Sequence, residues 1–531
     1  MLFCNKEISG PFTIPSGIVT AEVSVLERIA NEIPEIGILT TKSIGIKSMP
    51  GNREPIIAQY DSFSFINAVG LTNKGATYFA KELRKIKIPD NKFLLCSIFG
   101  SNEEEFHKIA EKLFEVCDGF ELNLSCPHSE KYGQIVGQDK KLIYKITKSV
   151  SSLGKPVFVK ISPNLDIKEM VKSGIEGGAS GITAINTVGP GMHFHDGYPV
   201  LSNKIGGISG RAILPIGLRC IKEIRNITNL PIIACGGIST AEDIKNYKKA
   251  GANFFGIGSA LAGMNTEEIK YYFHTLLEDL KKGTNNAIKL LKKADMNYKK
   301  CEIKENKKLA KDLFLLKLDN ELKIEPGQFI FVWLPEKGEK PFSVFDNNPL
   351  TLLIQKKGYF TTELMKLKKG TNLYIRGPYG KTPEVKGKVL LVGGGTGIAP
   401  LLLFAKKNRE TISLLGAKDK SHLPCIEKFK FFCREVYLTT ETGEIGHKGF
   451  LTDILEKIIK KTAPDYCINC GPKIMIKKSV EIEKRYLDGI NIYSSVDFMT
   501  RCGIGLCGSC ASPSGYRSCV DGPFLKSEIN L

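Results

Sequence analysis

No apolar run in this chain reaches the 18 or so residues that a membrane-spanning helix needs, so a helical span is excluded. The N-terminus, Met1-Leu2-Phe3-Cys4-Asn5-Lys6, lacks the charged region, apolar core and small-residue cleavage site of a secretory leader, and the expected location is the cytoplasm. There is no arm of five or more consecutive basic residues. Lys and Arg number 75 against 56 Asp and Glu, a net charge of +19. The lysines are spread along the chain in short runs such as Lys281-Lys282 and Lys292-Lys293. That distribution reads as a lysine-rich surface on a protein that binds anionic cofactors, and no nucleic-acid partner is expected. A disulfide framework is also missing. Fifteen cysteines in a long intracellular chain do not read as one, and most are expected to be small buried apolar residues. Four of them, near the C-terminus, are not scattered.

What is present points to several soluble domains. Hydrophobic residues make up 42% and charged residues 25%, the balance of an ordinary globular protein, and 531 residues are enough for three or more domains. From residue 1 to about 285, short β-branched runs alternate with helical patterns. Strands are expected at 17–20, 36–42, 93–97, 119–123, 156–162, 181–186, 231–235 and 253–258, with helices at 103–114, 167–176, 213–227 and 241–250. Eight such repeats predict an α/β fold, a closed (β/α)8 TIM barrel, with a doubly wound open sheet as the alternative.

A barrel of this kind works at the C-terminal ends of its strands. Those positions hold Lys42-Ser43, Asn123 followed by Ser125-Cys126-Pro127, Lys160, Asn186-Thr187, Gly236-Gly237 and Gly258-Ser259. Singly, each has a plain reading as a solvated lysine, a helix cap or a turn. Their recurrence at strand ends does not. Gly236-Gly237, followed by the capping-box spacing of Ser239-Thr240-Ala241-Glu242, suggests a phosphate site after the seventh strand. Gly206–Gly210 reads as a further glycine-rich loop beside a cofactor.

Thr41-Lys42-Ser43, Asn67-Ala68-Val69-Gly70-Leu71, Glu121–Pro127, Val159-Lys160, Ile185-Asn186-Thr187 and Gly206–Gly210 together resemble the motifs of class 1 dihydroorotate dehydrogenases. The resemblance implies FMN held by Ser16, Lys42, Ser43, Asn123, Lys160, Ile185, Gly210, Gly236, Gly237, Gly258 and Ser259. It implies a pyrimidine contacted by Lys42, Asn67, Gly70, Leu71, Asn123, His128, Asn186 and Thr187. Cys126 would take a proton from C5 of dihydroorotate, and Lys160 would stabilise the reduced flavin. A cysteine at 126, where membrane-linked relatives have serine, points to the soluble class. The segment 126–138, with Gly133 and Gly137, reads as a lid. His128 departs from the family's Cys-Pro-Asn. Dihydropyrimidine dehydrogenases also carry Cys-Pro-His, which keeps an NAD(P)H-dependent reductase of another pyrimidine as the alternative.

The composition shifts near residue 295. Short strands with turn signals over 300–385 predict a small antiparallel barrel. Lys340-Pro341-Phe342-Ser343, Lys357-Gly358 and Thr361-Thr362 resemble the FAD segments of ferredoxin reductase-like proteins, with Lys340 where those carry arginine. Val389–Val392 then leads into Gly393-Gly394-Gly395-Thr396-Gly397, and a strand before such a cluster is the context that lets peptide N–H groups face a pyrophosphate. Gly393, Gly395, Thr396 and Gly397 are the expected contacts. Cys470-Gly471-Pro472 and Met475 resemble the nicotinamide side, so the nucleotide would be NAD. Cys467 and Cys470 have no second pair nearby and are not read as a zinc site. Cys502, Cys507, Cys510 and Cys519 are spaced C-x4-C-x2-C-x8-C, and the first three follow the plant-type [2Fe–2S] pattern. With the FAD and nucleotide segments they resemble the electron-transfer subunit of NAD-linked dihydroorotate dehydrogenase. The expected domains are 1–295 for FMN, 296–385 for FAD, 386–490 for NAD and 491–531 for the cluster, in a homo-oligomer acting on dihydroorotate. Electrons would pass from FMN through the cluster and FAD to NAD+.

Overall fold

The computed structural model describes residues 1–124, 137–495 and 499–527. It divides into two compact units, 1–295 with 504–511, and 296–503 with 512–531.

The first unit is a closed barrel of eight parallel strands. In chain order these are β1 (Phe12–Ile14), β2 (Ile36–Thr40), β3 (Phe93–Ile98), β4 (Gly119–Asn123), β5 (Val157–Ile161), β6 (Gly181–Ala184), β7 (Ile232–Cys235) and β8 (Phe254–Gly256). Each neighbours the next, and β8 pairs with β1. Every residue of these strands is buried, which is why they read as near-continuous β-branched and aromatic runs. Several of the helices between them are capped by a side chain next to their start. Asn102 accepts from the Glu105 N–H at the start of Glu103–Leu113, and Asp166 from the Glu169 N–H at the start of Ile167–Glu176. The N-terminal end of the barrel is plugged. A hairpin of Leu2–Phe3 and Lys6–Glu7 drives Phe3 between Phe93 and Phe254, both at 4.7 Å between ring centroids. Only the opposite end is left for chemistry.

Several expectations are corrected. The first strand is Phe12–Ile14, not 17–20. The flanking Pro11 and Pro15 hide it, whereas Gly17 and Val19 take φ of +86° and +59° and turn the chain over the barrel mouth. The second strand ends at Thr40, which leaves Lys42-Ser43 in the loop beyond it. The capping box before Ala241–Ala250 is Thr240 with Asp243, one residue later than expected. Gly206–Gly210 is not a loop. It belongs to a strand, Ile205–Gly210, in a four-stranded antiparallel sheet with Val188–Met192, Ser64–Asn67 and Ile57–Asp61. Glycine permits this close pairing: a Cβ on Gly206 would stand 2.7 Å from the Asn67 carbonyl oxygen.

The second unit holds two sheets. One is a seven-stranded antiparallel half-barrel in the order Gly338–Ser343, Phe329–Leu334, Asn372–Tyr379, Lys299–Lys308, Leu313–Leu318, Leu350–Gln355, Asp346–Asn347. Its two edges make it a half-barrel, in keeping with the small antiparallel barrel expected over 300–385. The other is parallel except for its last strand, in the order His447–Lys448, Glu435–Thr440, Thr411–Ala417, Val389–Gly394, Tyr466–Cys470, Ile492–Ser495, Leu525–Lys526. Strand order reverses on the two sides of Val389–Gly394, the point where open α/β sheets bind ligands. Among the described residues no helix is long and apolar enough to cross a membrane.

One buried carboxyl in this unit is out of keeping with its surroundings. Glu483 closes the helix Lys473–Glu483, fully buried, and accepts a 2.8 Å hydrogen bond from Asn469 Nδ2. Its Oε1, Asn469 Oδ1 and Ser479 Oγ have no hydrogen-bond partner among the described residues. Burial pushes the Glu483 carboxyl up to about 7. The folded chain therefore keeps a proton that the unfolded chain releases near pH 4.5. Stability falls as pH rises from there to about 7 and is level above it. Glu483→Gln mimics the protonated form and is expected to gain about 2–4 kcal/mol at pH 8 with little change at pH 4. Urea unfolding of the two proteins at both pH values checks this.

Candidate active site

At the C-terminal ends of the barrel strands lies a cavity with about 190 Å³ of accessible space, an order of magnitude more than the roughly 10–15 Å³ that one water requires. Every strand but β3 contributes through its end or its following loop. Ser16 follows β1, Lys42 and Ser43 follow β2, Asn123 ends β4, and Lys160 lies in β5. Ile185, Asn186 and Thr187 follow β6, Gly236 and Gly237 follow β7, and Gly258 and Ser259 follow β8. The antiparallel sheet adds Asn67 and Gly210, and the loop after it adds Gly70 and Leu71. All the flavin and pyrimidine residues expected from sequence thus face one cavity, apart from Cys126 and His128. Those two, and the lid segment up to residue 136, lie outside the described residues.

The cavity floor is a directed hydrogen-bond chain. Ser97 Oγ donates to Glu121 Oε1 at 2.9 Å. Its single proton is then spent, so Ser43 Oγ, 3.0 Å away, must donate to it. By the same count Ser16 Oγ donates to Ser43 across 2.9 Å. Asn123 Nδ2 also donates to Ser43, at 2.9 Å. Every polar hydrogen in the chain runs toward the Glu121 carboxylate. That carboxylate pairs with Lys160 Nζ at 3.4 Å, both side chains buried. Such a pair is over-determined in position, which suits a charge that must stay at one spot. Asn186 Oδ1 accepts from the Thr187 N–H at 2.9 Å, and its Nδ2 reaches Asn123 Oδ1 at 3.5 Å. The two amides therefore orient each other. Cys235 also lines the cavity, but burial pushes its thiol up to about 12, so it is no nucleophile.

The phosphate turn differs in detail from the expectation. Asp243 Oδ2 accepts from the Ser239 and Thr240 N–H groups, both at 3.0 Å, and from Arg211 Nη1 at 2.5 Å. Those helix-start N–H groups are engaged, so an anion would meet the peptides of Gly236, Gly237, Gly258 and Ser259 instead. Gly237 has φ of +73°, and a Cβ there would be 2.8 Å from the Gly210 carbonyl oxygen. The turn can pack this closely only as glycine, and peptide N–H groups on such a turn suit a flavin phosphate.

Sequence reasoning missed Glu121, Ser97 and Arg211 as site residues. Glu121 was visible in its motif, but nothing in a strand sequence says that a carboxylate turns inward. It also missed one wall. Segment 504–511 packs within the barrel unit: Val19 N donates to Leu506 O at 2.6 Å and Gly263 N to Ile504 O at 2.8 Å. Leu506 and Cys507 line the cavity.

In the second unit the expected FAD segments are brought together. Lys340–Ser343 lie on the edge strand Gly338–Ser343, and Phe342 stacks on Phe360 at 6.3 Å. Gly358 precedes the helix Tyr359–Lys366. Thr361 Oγ1 accepts from the Lys357 and Gly358 N–H groups at 2.9 and 3.1 Å, and Thr362 Oγ1 donates to the Gly358 carbonyl at 2.9 Å. A Cβ on Gly358 would meet nothing within 4 Å, which leaves room for a ligand. Gly393, Gly395, Thr396 and Gly397 sit at the reversal point of the parallel sheet, in and after its strand Val389–Gly394. Gly395, Thr396 and Gly397 form a 3-10 turn, Gly395–Ile398, ahead of the helix Leu401–Lys407. A Cβ on Gly397 would stand 2.3 Å from the Cys470 carbonyl oxygen, so the loop can close on the nicotinamide-side motif only as glycine.

Of the four clustered cysteines, Cys502, Cys510 and Cys519 are buried and Cys507 is half-buried. Gly503, Gly505 and Gly508 take φ of +83°, +74° and +67°, left-handed backbone of the kind found in anion-binding peptide nests. Four cysteine thiols are the donor set of an iron–sulfur site. Among the described residues no group of three or more His, Cys, Asp or Glu side chains is gathered as a metal site. The ligand assignment therefore rests on spacing and loop chemistry.

The dihydroorotate dehydrogenase family profile matches residues 1–280. The catalytic subunit of dihydroorotate dehydrogenase B (NAD(+)) from Methanocaldococcus jannaschii is 39% identical over 264 residues, 49% of this chain and 85% of that protein. A protein of Pyrococcus furiosus described as a probable dihydroorotate dehydrogenase B (NAD(+)), electron transfer subunit, is 40% identical over 233 residues, 43% of this chain and 91% of that protein. Among solved structures, a chain of the NADH-dependent reduced ferredoxin-NADP oxidoreductase is 31% identical, covering 43% of this chain and 88% of that one with a TM-score of 0.40.

Proposed function

Because this chain belongs to the dihydroorotate dehydrogenase family and carries counterparts of both the catalytic and the electron-transfer subunits, we propose that it oxidises dihydroorotate to orotate and reduces NAD+ within one polypeptide. FMN in the barrel, FAD and NAD+ in the second unit and a [2Fe–2S] cluster on Cys502, Cys507, Cys510 and Cys519 supply hydride and single-electron chemistry when bound.

The chain's own residues do the rest. Asn67, Asn123 and Asn186 offer amide donors and acceptors to the pyrimidine edges. Lys160, fixed by Glu121, would supply positive charge to the reduced flavin, and Lys42 adds a second cation to the cavity wall. Cys126 takes the proton from C5 of the substrate. The Gly236–Gly237 and Gly258–Ser259 turns hold the phosphate.

The observation that carries this reading is the cavity wall itself. The residues for flavin and pyrimidine share it with Cys507 of the same chain, which supports electron exit without a second polypeptide.

Flavin and iron analysis of the purified chain tests the cofactors. One FMN, one FAD and two irons are expected, and a flavin-free or zinc-loaded protein would refute the reading. A second reading, reduction of a uracil-like pyrimidine, is motivated by His128. Anaerobic assays decide it: turnover on uracil with none on dihydroorotate would reverse the order.

A further inference from the structure

A fully buried charged pair lies under the first of the four cysteines. Arg376 and Glu339 have side chains 1% and 0% exposed. Nε and Nη2 of the arginine grip the two carboxylate oxygens at 2.6 and 2.7 Å. Tyr298 Oη donates to Glu339 Oε1 at 2.7 Å. The remaining arm, Nη1, donates to Tyr379 Oη at 3.0 Å and to the carbonyl oxygen of Cys502 at 2.9 Å. The guanidinium lies 3.9 Å from the Phe331 ring centre. Phe331 and Tyr379 in turn hold Gly503, where a Cβ would come within 2.9 and 3.1 Å of them. All these groups belong to the second unit.

A buried ion pair is weak evidence of stabilisation, because apolar residues of like volume serve as well or better. What apolar residues would not reproduce is the third arm. In a trans peptide the N–H points opposite to the C=O. Fixing the Cys502 carbonyl on Arg376 therefore turns the Gly503 N–H away from the pair. Peptide N–H groups and nearby charge are what set the reduction potential of an iron–sulfur centre. We propose that Arg376, held by Glu339, is a positioning residue for the cluster: it anchors the peptide of Cys502 and makes the cluster easier to reduce. The proposal rests on the reading of the four cysteines as cluster ligands.

The two residues predict shifts of opposite sign. Glu339→Gln keeps the arm on Cys502 but removes the compensating carboxylate, so the cluster becomes easier to reduce. Arg376→Lys keeps charge against Glu339 but has no fork and no third arm, so the cluster becomes harder to reduce. Tyr298→Phe removes one hydrogen bond to Glu339 and leaves the arm in place, so it lowers thermal stability without moving the cluster. The experiment is an EPR-monitored redox titration of the purified holoenzyme and the three variants, with iron content and thermal unfolding on the same samples. The expected result is a tenfold or larger change in the one-electron equilibrium, about 59 mV, upward in Glu339→Gln and downward in Arg376→Lys. Iron lost from Arg376→Lys while FAD stays bound would also support the anchor. Potentials within twofold of wild type in both variants, or iron lost equally from Tyr298→Phe, would overturn it. If Glu339→Gln does not fold, Arg376→Lys alone decides. Wild-type protein without iron would instead refute the cysteine reading, a separate outcome.

Discussion

Lys160→Met is expected to slow the reduction of bound flavin by dihydroorotate by roughly 10²–10³-fold, the loss typical of removing one preorganised electrostatic group. The ammonium is buried and stands 3.4 Å from Glu121, whose other partners are supplied by the Ser16–Ser43–Ser97 chain. Nothing in this arrangement has to reorganise when charge develops on the flavin. The same burial predicts a second effect. A lone Glu121 carboxylate costs about 3–5 kcal/mol of stability. Lys160→Met combined with Glu121→Gln is expected to recover most of that stability and none of the rate. Anaerobic stopped-flow bleaching of the flavin, beside thermal unfolding, separates the two. A double variant that regains the wild-type rate would remove Lys160 from the mechanism.

The second large effect is at Cys126. Alanine there removes the proposed base and is expected to cut flavin reduction by about 10²–10⁴-fold. Serine is expected to keep part of the rate but shift its pH dependence upward, because a hydroxyl ionises far above the roughly 8.5 of a free thiol. A rate–pH profile of flavin reduction in wild type and Cys126→Ser checks the shift. Coincident profiles would assign the proton to another group.

Much of this was legible in the sequence because barrel strands bury both faces. Val157–Ile161 and Ile232–Cys235 announce themselves as apolar runs, and the one lysine inside such a run stands out. Asp166 and Asn102 mark their helices locally. The first strand was misplaced because proline on both sides of Phe12–Ile14 imitates a loop, while Ile18-Val19-Thr20 imitates a strand. Gly206–Gly210 read as a loop because glycine usually makes turns; here it lets two strands approach. The inward turn of Glu121, the grip of Arg376 on the Cys502 carbonyl across 126 residues of chain, and the place of Cys507 in the cavity wall are contacts between distant segments. No local pattern encodes them.

Electrons are expected to leave a pyrimidine in the barrel and reach a nicotinamide held by the second unit of the same chain. The most direct measurement of this transfer is anaerobic turnover of Cys510→Ser with dihydroorotate and NAD+, following flavin bleaching and NADH formation together. The account predicts that dihydroorotate still bleaches the barrel flavin while NADH formation falls to background. NADH formed at the wild-type rate would contradict it.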